Sequence, residues 1–262
     1  LSLIGKLVWP SSMTRLDIAY AVSILASFVH APKQEHYDWA FHVLGYLVQT
    51  KNLGITYGGS IRIPFGLFEM PDRFEDNCGL YAMYDSSYGK DIRPPAGYVI
   101  MYNNGAIAWK SGRPKIIPDS SCHAETHVGS QAAKDTMFIR ESLKNNKRKV
   151  LGPTLMLGDN KGNKDVNDKD GMTRKTRHYE RGTLLMKRAI LLRILTALRV
   201  STDYMLADIF TKAADKGTFV KMRNVMMNAS QHLIPGLEAA MLTLHGSSRR
   251  LADKLRAAIG LN

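Results

Sequence analysis

The sequence predicts an α/β fold, a mixed sheet flanked by helices, preceded by a small helical segment. Two observations carry this. Apolar residues recur at helical spacing over Asp17–His30 and Glu35–Gln49, and from Gly79 onward the period switches to two over three short β-rich runs. Those runs are followed by a long helix and then by strand, helix, strand, helix, the element order of an α/β sheet.

Taken in order, Asp17–His30 and Glu35–Gln49 read as helices, separated by the HAPKQEH turn with Pro32. In the second, Trp39, Val43, Leu44 and Leu47 recur at helical spacing. Ser60–Asp76, with Pro64, Gly66 and Pro71, has no clear period and reads as a linker. GLYAMYD is a short strand ending at Asp85. AGYVIMYNNGAIAWKS is a hairpin about Asn103-Asn104-Gly105. Ser121–Lys144 reads as a helix, PTLMLGD as a strand ending at Asp159, and Arg174–Leu192 as a basic helical segment. ILTALRVST is a further strand, and Asp203 is positioned to cap a helix over Tyr204–Met227. Four segments follow: a helical part over residues 1–58, a linker over 59–76, an α/β domain over 77–230, and a basic amphipathic tail over 231–262. In the tail Leu251, Leu255 and Ile259 recur four apart. The chain opens on Leu1 rather than Met, which predicts a piece of a longer protein.

Lys and Arg number 36 against 23 Asp and Glu, a net charge of +13 that favours a polyanionic partner. Two cysteines, Cys78 and Cys122, exclude a disulfide framework and provide no CxxC pair. The longest apolar stretch, Ile18–Val29, is too short to span a bilayer, so no membrane association is expected.

Four acids fall where chemistry is commonly placed. Asp85 and Asp159 end strands; Glu125 and Asp208 lie near helix starts. Carboxylates converging on one point repel one another unless cations lie between them, and hard divalent ions take such oxygen ligands. Two ions about 4 Å apart can activate water and stabilise a leaving oxygen in phosphodiester cleavage. On the helix carrying it, Glu125 shares the stripe of Val128, Gly129, Ala132, Thr136, Ile139 and Leu143, whereas His123, His127, Lys134 and Glu141 fall on the polar face. Phe138 also falls on that polar side. Cys122, His123 and His127 allow a rival reading as a zinc or Cys/His site, but the HExxH offset and a third ligand are missing.

At these residues the chain resembles the C-terminal part of the Pol polyprotein of copia-type LTR retrotransposons. LIGKLVWPSSMTRLDIAYAV is similar to LIGSLLYLTNTRPDIAYAV, and APKQEHYDWAFHVLGYLVQTKNLGITY to NPTKEHWEALKRVLRYLKGTKDLGLTY. GYVIMYNNGAIAWKS resembles GYVFMLGGGAISWKS, SSCHAET stands in place of SSTEAEY, GDNKG in place of CDNQS, and LADIFTK matches unaltered. The matches run in order over about Leu1–Asn228. The resemblance implies the end of a reverse transcriptase followed by a ribonuclease H-like mixed sheet, with Asp85, Glu125, Asp159 and Asp208 as catalytic and metal-binding residues holding two Mg²⁺ ions, Mn²⁺ being an alternative.

The implied activity is hydrolysis of the RNA strand of RNA–DNA hybrids. The implied partners are that hybrid or another nucleic acid, and the rest of the parent polyprotein; the implied place is intracellular, in a cytoplasmic particle or the nucleus. Arg174, Lys175, Arg177, Arg181, Lys187 and Arg188 are candidates for phosphate contacts, with His178 close to the site. The polymerase palm with its YVDD aspartates is missing, so no copying of nucleic acid is expected. DADW has become DSSY, and His123 stands where the family has a Glu. These departures keep a second reading open: a remnant of the same domain that binds nucleic acid and no longer cuts.

Overall fold

The computed structural model describes residues 2–59, 79–87, 92–159 and 180–229. The expected tail, nearly all of the linker, and Arg174, Lys175, Arg177 and His178 lie outside them. The chain divides into two compact units, Leu1–Ile55 and Thr56–Asn228. Among the described residues no helix is long and apolar enough to cross a membrane.

The first unit is helical. Residues to which the sequence assigns no element form α1 (Ser2–Met13), with Pro10 inside it. Pro10 deprives the helix of one N–H bond, and burial of Leu7 against Ile18, Val22, Leu25, Ala40 and Val43 outweighs that loss. A short 3₁₀ turn, Leu16–Ile18, leads into α2 (Ala19–Ser27), and α3 follows (Gln34–Gln49). So the helix expected over Asp17–His30 is shorter at both ends. Arg15 and Asp17 hold the turn: Arg15 Nε and Nη2 donate to the two Asp17 oxygens at 3.0 and 2.7 Å. Arg15 also donates to Thr50 O and Oγ1, and Tyr46 Oη–H donates to Asp17 Oδ2 at 2.6 Å.

The second unit is a five-stranded sheet in the order β3-β2-β1-β4-β5. The strands are β1 (Tyr81–Ser86), β2 (Ala96–Tyr102), β3 (Gly105–Gly112), β4 (Thr154–Gly158) and β5 (Leu195–Arg199). β1, β2 and β3 form an antiparallel meander, whereas β4 runs parallel to both β1 and β5. Asn103 and Asn104 both take positive φ (51° and 67°) at the β2–β3 turn, which is the backbone a tight two-residue hairpin requires.

Side chains alternate along β1, so its two faces receive different covers. Ala82 and Tyr84 join Val128, Ala132 and Ala133 of α4 (Ser121–Asn145), and Met186 and Ala189 of α5 (Glu180–Leu191), in one apolar core. Met83 and Asp85 face the other way, toward a 3₁₀ turn, Leu206–Phe210; the Leu206 N–H lies 3.4 Å from Met83 Sδ.

The helix expected over Tyr204–Met227 is broken up. The chain makes a 3₁₀ turn at Thr202–Tyr204, the Leu206–Phe210 turn, and only then α6 (Lys216–Met227). The helix is capped by Asp215, whose Oδ1 accepts from Thr218 N at 3.1 Å, rather than by Asp203. The physical reason is competition: the Leu206–Phe210 turn packs on the sheet, and a continuous helix would lift Phe210 off it.

Candidate functional site

Asp85 sits near the end of β1, paired across the ladder with Gly97 of β2, which pairs in turn with Ser111 of β3. A Cβ on Gly97 would stand 2.4 Å from Phe210 Cβ, so only glycine lets Phe210 lie against the sheet beside Asp85. Ser111 Oγ–H donates to Phe210 O at 2.7 Å. Thr211 Oγ1–H then donates to Asp85 Oδ2 at 2.5 Å. Gly97, Ser111 and Thr211 together seat the turn that carries Asp208.

The result is a group of acids in a partly dry place. Burial raises the Asp85 carboxyl above its ordinary value, opposed by the Thr211 bond and assisted by the charge of Asp159. Burial likewise pushes Asp208 up to about 6, with Asp85 and Asp159 adding to the effect. Lys212 Nζ lies 2.7 Å from Asp208 Oδ2, and an ion pair by itself would lower that carboxyl; desolvation wins. Lys212 is itself raised: its burial works against the charge, and Asp208, Asp85 and Asp159 overcome it. Among the described residues, Ser86 Oγ and Asp208 Oδ1 are the buried side-chain polar atoms without a hydrogen-bond partner.

Asp159, just past β4, is partly exposed; its backbone O accepts from Arg199 Nε at 2.8 Å and its Oδ2 from Thr202 Oγ1 at 3.3 Å. Glu125 is buried on α4, on the face that meets Tyr84. The Tyr84 ring is wedged between two glycines: a Cβ on Gly129 would meet it at 2.9 Å, and one on Gly158 at 3.1 Å. Burial raises the Tyr84 phenol first, and the charges of Glu125, Asp159 and Cys122 raise it further. Asp85, Asp159 and Asp208 therefore share one field. Glu125 and Asp159 both bear on Tyr84, on the face of β1 opposite to Asp85.

The donors are hard oxygens of the type Mg²⁺ and Mn²⁺ take, and Asp208 Oδ1 lacks any other partner. Their spacing is not a closed cage: among the described residues, no three His, Cys, Asp or Glu side chains stand close enough to hold one ion.

The first turn of α4 corrects one expectation. Ser120 caps it, Oγ accepting from His123 N at 3.2 Å. His123 is buried rather than on a wet face, because the preceding loop folds over it and Asp119 Oδ1 lies 2.9 Å from its Nδ1. His127 is half-buried and its Nε2 lies 2.8 Å from Gln131 Nε2. Burial, then the charges of His123, Lys110 and Lys134, lower its basicity. His123 has Asp119 and His127 has Gln131 as partner, and the zinc reading finds no support. Phe138 does lie on the polar side, 73% exposed.

Of the basic candidates, Lys187 (half-buried) and Arg188 (exposed) project from α5, and Arg181 lies in its first turn. Residues 174–179 of the expected segment lie outside the described residues, and Glu180–Leu191 is helical as expected. Thr211, Lys212, Gly97 and Ser111 escape a reading that looks for acids alone, although all four lie in or beside GYVIMYNNGAIAWKS and LADIFTK.

No family model matches the chain. It is 24% identical over 225 residues to the retrovirus-related Pol polyprotein from transposon TNT 1-94 of Nicotiana tabacum, covering 83% of this chain and 15% of that protein. It is 24% identical over 211 residues to that from transposon RE1 of Arabidopsis thaliana, covering 79% of this chain and 13% of that protein. The chain thus spans at most 15% of the length of these two relatives. Among solved structures it is similar to RNase H1 from Halobacterium salinarum NRC-1, at 16% identity and a TM-score of 0.37, over 50% of this chain and 92% of that one. The resemblance to copia-type Pol polyproteins is borne out by such relatives, and the mixed sheet with flanking helices behind a helical segment is the fold it implied.

Proposed function

We propose that the sheet unit is the nuclease of a retrotransposon Pol polyprotein and hydrolyses the RNA strand of RNA–DNA hybrids with the help of two divalent cations, Mg²⁺ or Mn²⁺. The observation that carries the reading is Asp208 Oδ1: a buried carboxylate oxygen without a partner, in the shared field of Asp85 and Asp159. Asp85, Asp159 and Asp208 would hold the ions, with Glu125 completing the set from α4. Such ions, when bound, activate a water and stabilise the leaving oxygen. The chain's own part is placement. Thr211 fixes the Asp85 carboxylate through Oδ2, Gly97 and Ser111 keep the turn that carries Asp208 against the sheet, and Tyr84 fills the space between Gly129 and Gly158. Lys187 and Arg188, with Arg174, Lys175, Arg177, His178 and Arg181, supply the phosphate contacts, and the net charge of +13 favours the encounter.

The test is cleavage of a labelled hybrid with Mg²⁺ by the whole chain and by its Asp85→Asn variant. A loss of at least about a hundredfold is expected, the order seen when a group that stabilises transition-state charge is removed; equal rates would end the assignment. Hybrid binding should weaken steeply between low and moderate salt.

The second reading, binding without cleavage, draws on one observation. His123 is tied to Asp119 within the turn that leads to Glu125, where the resemblance leads one to expect an acid. It predicts salt-sensitive binding and no turnover at any Mg²⁺ or Mn²⁺ concentration.

A further inference from the structure

The acids already have a cation of the chain's own. Lys212 Nζ lies 2.7 Å from Asp208 Oδ2, with the Lys212 side chain 50% exposed and that of Asp208 only 6%. The backbone aims it there: Thr211 N and Lys212 N both donate to Asp208 O at 3.0 Å, closing one turn. Thr211, between the pair, holds Asp85 at the same time. The Lys212 charge bears on Asp85 as well as Asp208, and Asp159 bears on Lys212.

Two features separate this pair from a permanent structural ion pair. It satisfies only one Asp208 oxygen, since Oδ1 is buried without a partner. And the cationic partner is the exposed half, a long side chain with a route to solvent, so its ammonium can be rehydrated without opening the core. A divalent ion arriving at Asp208 meets a place where positive charge already stands, and two cations there repel each other.

We propose that Lys212 is the exchangeable counter-ion of this site: its ammonium neutralises Asp208 while no divalent ion is bound, and moves into solvent when one binds. This rests on the metal-binding reading above. Lys212 is then a positioning residue that sets how tightly the acids take a metal and lets the fold tolerate a metal-free state.

The experiment is calorimetric titration of Mn²⁺ into the whole chain, with melting temperatures measured with and without Mn²⁺. It uses wild type, Lys212→Gln, Lys212→Arg and Asp208→Asn. Lys212→Gln should bind Mn²⁺ about tenfold tighter, the change expected when one charge-assisted competitor is removed, and should gain more in melting temperature from Mn²⁺ than wild type does. Lys212→Arg, which keeps the charge, should bind no tighter than wild type, and Asp208→Asn should lose binding. Affinities of wild type and Lys212→Gln within about twofold, with Asp208→Asn still losing binding, would overturn the counter-ion role and leave the metal site standing. Absence of binding in both wild type and Lys212→Gln would overturn both. If Lys212→Gln does not fold, tighter binding by Lys212→Arg than by wild type is the overturning result.

Discussion

Two buried acids, one in each unit, each meet a cationic side chain and differ in how completely they are satisfied. In the helical unit, both Asp17 oxygens accept from Arg15, and Tyr46 adds a third bond. The guanidinium is spent on Asp17 and Thr50. In the sheet unit, Asp208 has one oxygen on Lys212 and the other on nothing. Arg15 is a planar fork that matches a carboxylate on both oxygens; Lys212 is a point charge that matches one. The comparison teaches that burial alone does not mark a functional acid. What marks Asp208 is burial combined with an unmet oxygen and like-charged neighbours.

The largest expected effect tests the complete pair. Arg15→Ala leaves Asp17 buried without its partner and should destabilise the helical unit by about 3–5 kcal/mol; urea unfolding followed by hydrogen exchange over residues 2–55 checks it. A smaller effect is expected at the seat of the incomplete pair. Gly97→Ala forces Phe210 and the Lys110 carbonyl away from an added methyl at 2.4 and 2.8 Å. It should cost about 1–3 kcal/mol and separate Asp208 from Asp85, so hybrid cleavage should fall more than stability does.

Asp208→Asn should do the reverse of Arg15→Ala. A carboxyl held at about 6 instead of 3.8 contributes stability that is present below pH 3.8 and is lost as pH rises through 6. The metal-free wild type should therefore weaken across that window relative to the Asn variant, by on the order of 1–3 kcal/mol at pH 7. Thermal melts of both proteins at pH 4, 6 and 8 in a chelator measure the difference; parallel curves would contradict the burial argument. The smallest effect belongs to Phe138→Ser. Its ring is exposed on α4, and stability should move by no more than about 0.5 kcal/mol.

Much of this was legible in the chain. The change of period at Gly79, the Asn103-Asn104-Gly105 turn and the helical run over Ser121–Lys144 are local signals, and each element they predict is present. Asp85 and Asp159 could be placed at strand ends for the same reason. Less legible was what lies opposite each residue. His123 has the helical phase of a solvent-facing residue and is buried, because a loop that no periodicity describes covers it. The LADIFTK motif reads as the start of a helix, yet it forms a separate turn because Phe210 finds its place over Gly97, more than a hundred residues earlier.

By itself the sequence determined the order and type of most elements, the excess of positive charge and the placing of the candidate acids Asp85 and Asp159 at strand ends, since these depend on residue type and short-range spacing. Only the tertiary structure decided that Asp85, Asp159 and Asp208 share a field, that Glu125 packs beside Tyr84, and that Lys212 stands on Asp208. Desolvation and charge–charge energies depend on distances through space, and the chain brings residues 85, 97, 111 and 208–212 together only once the sheet has formed.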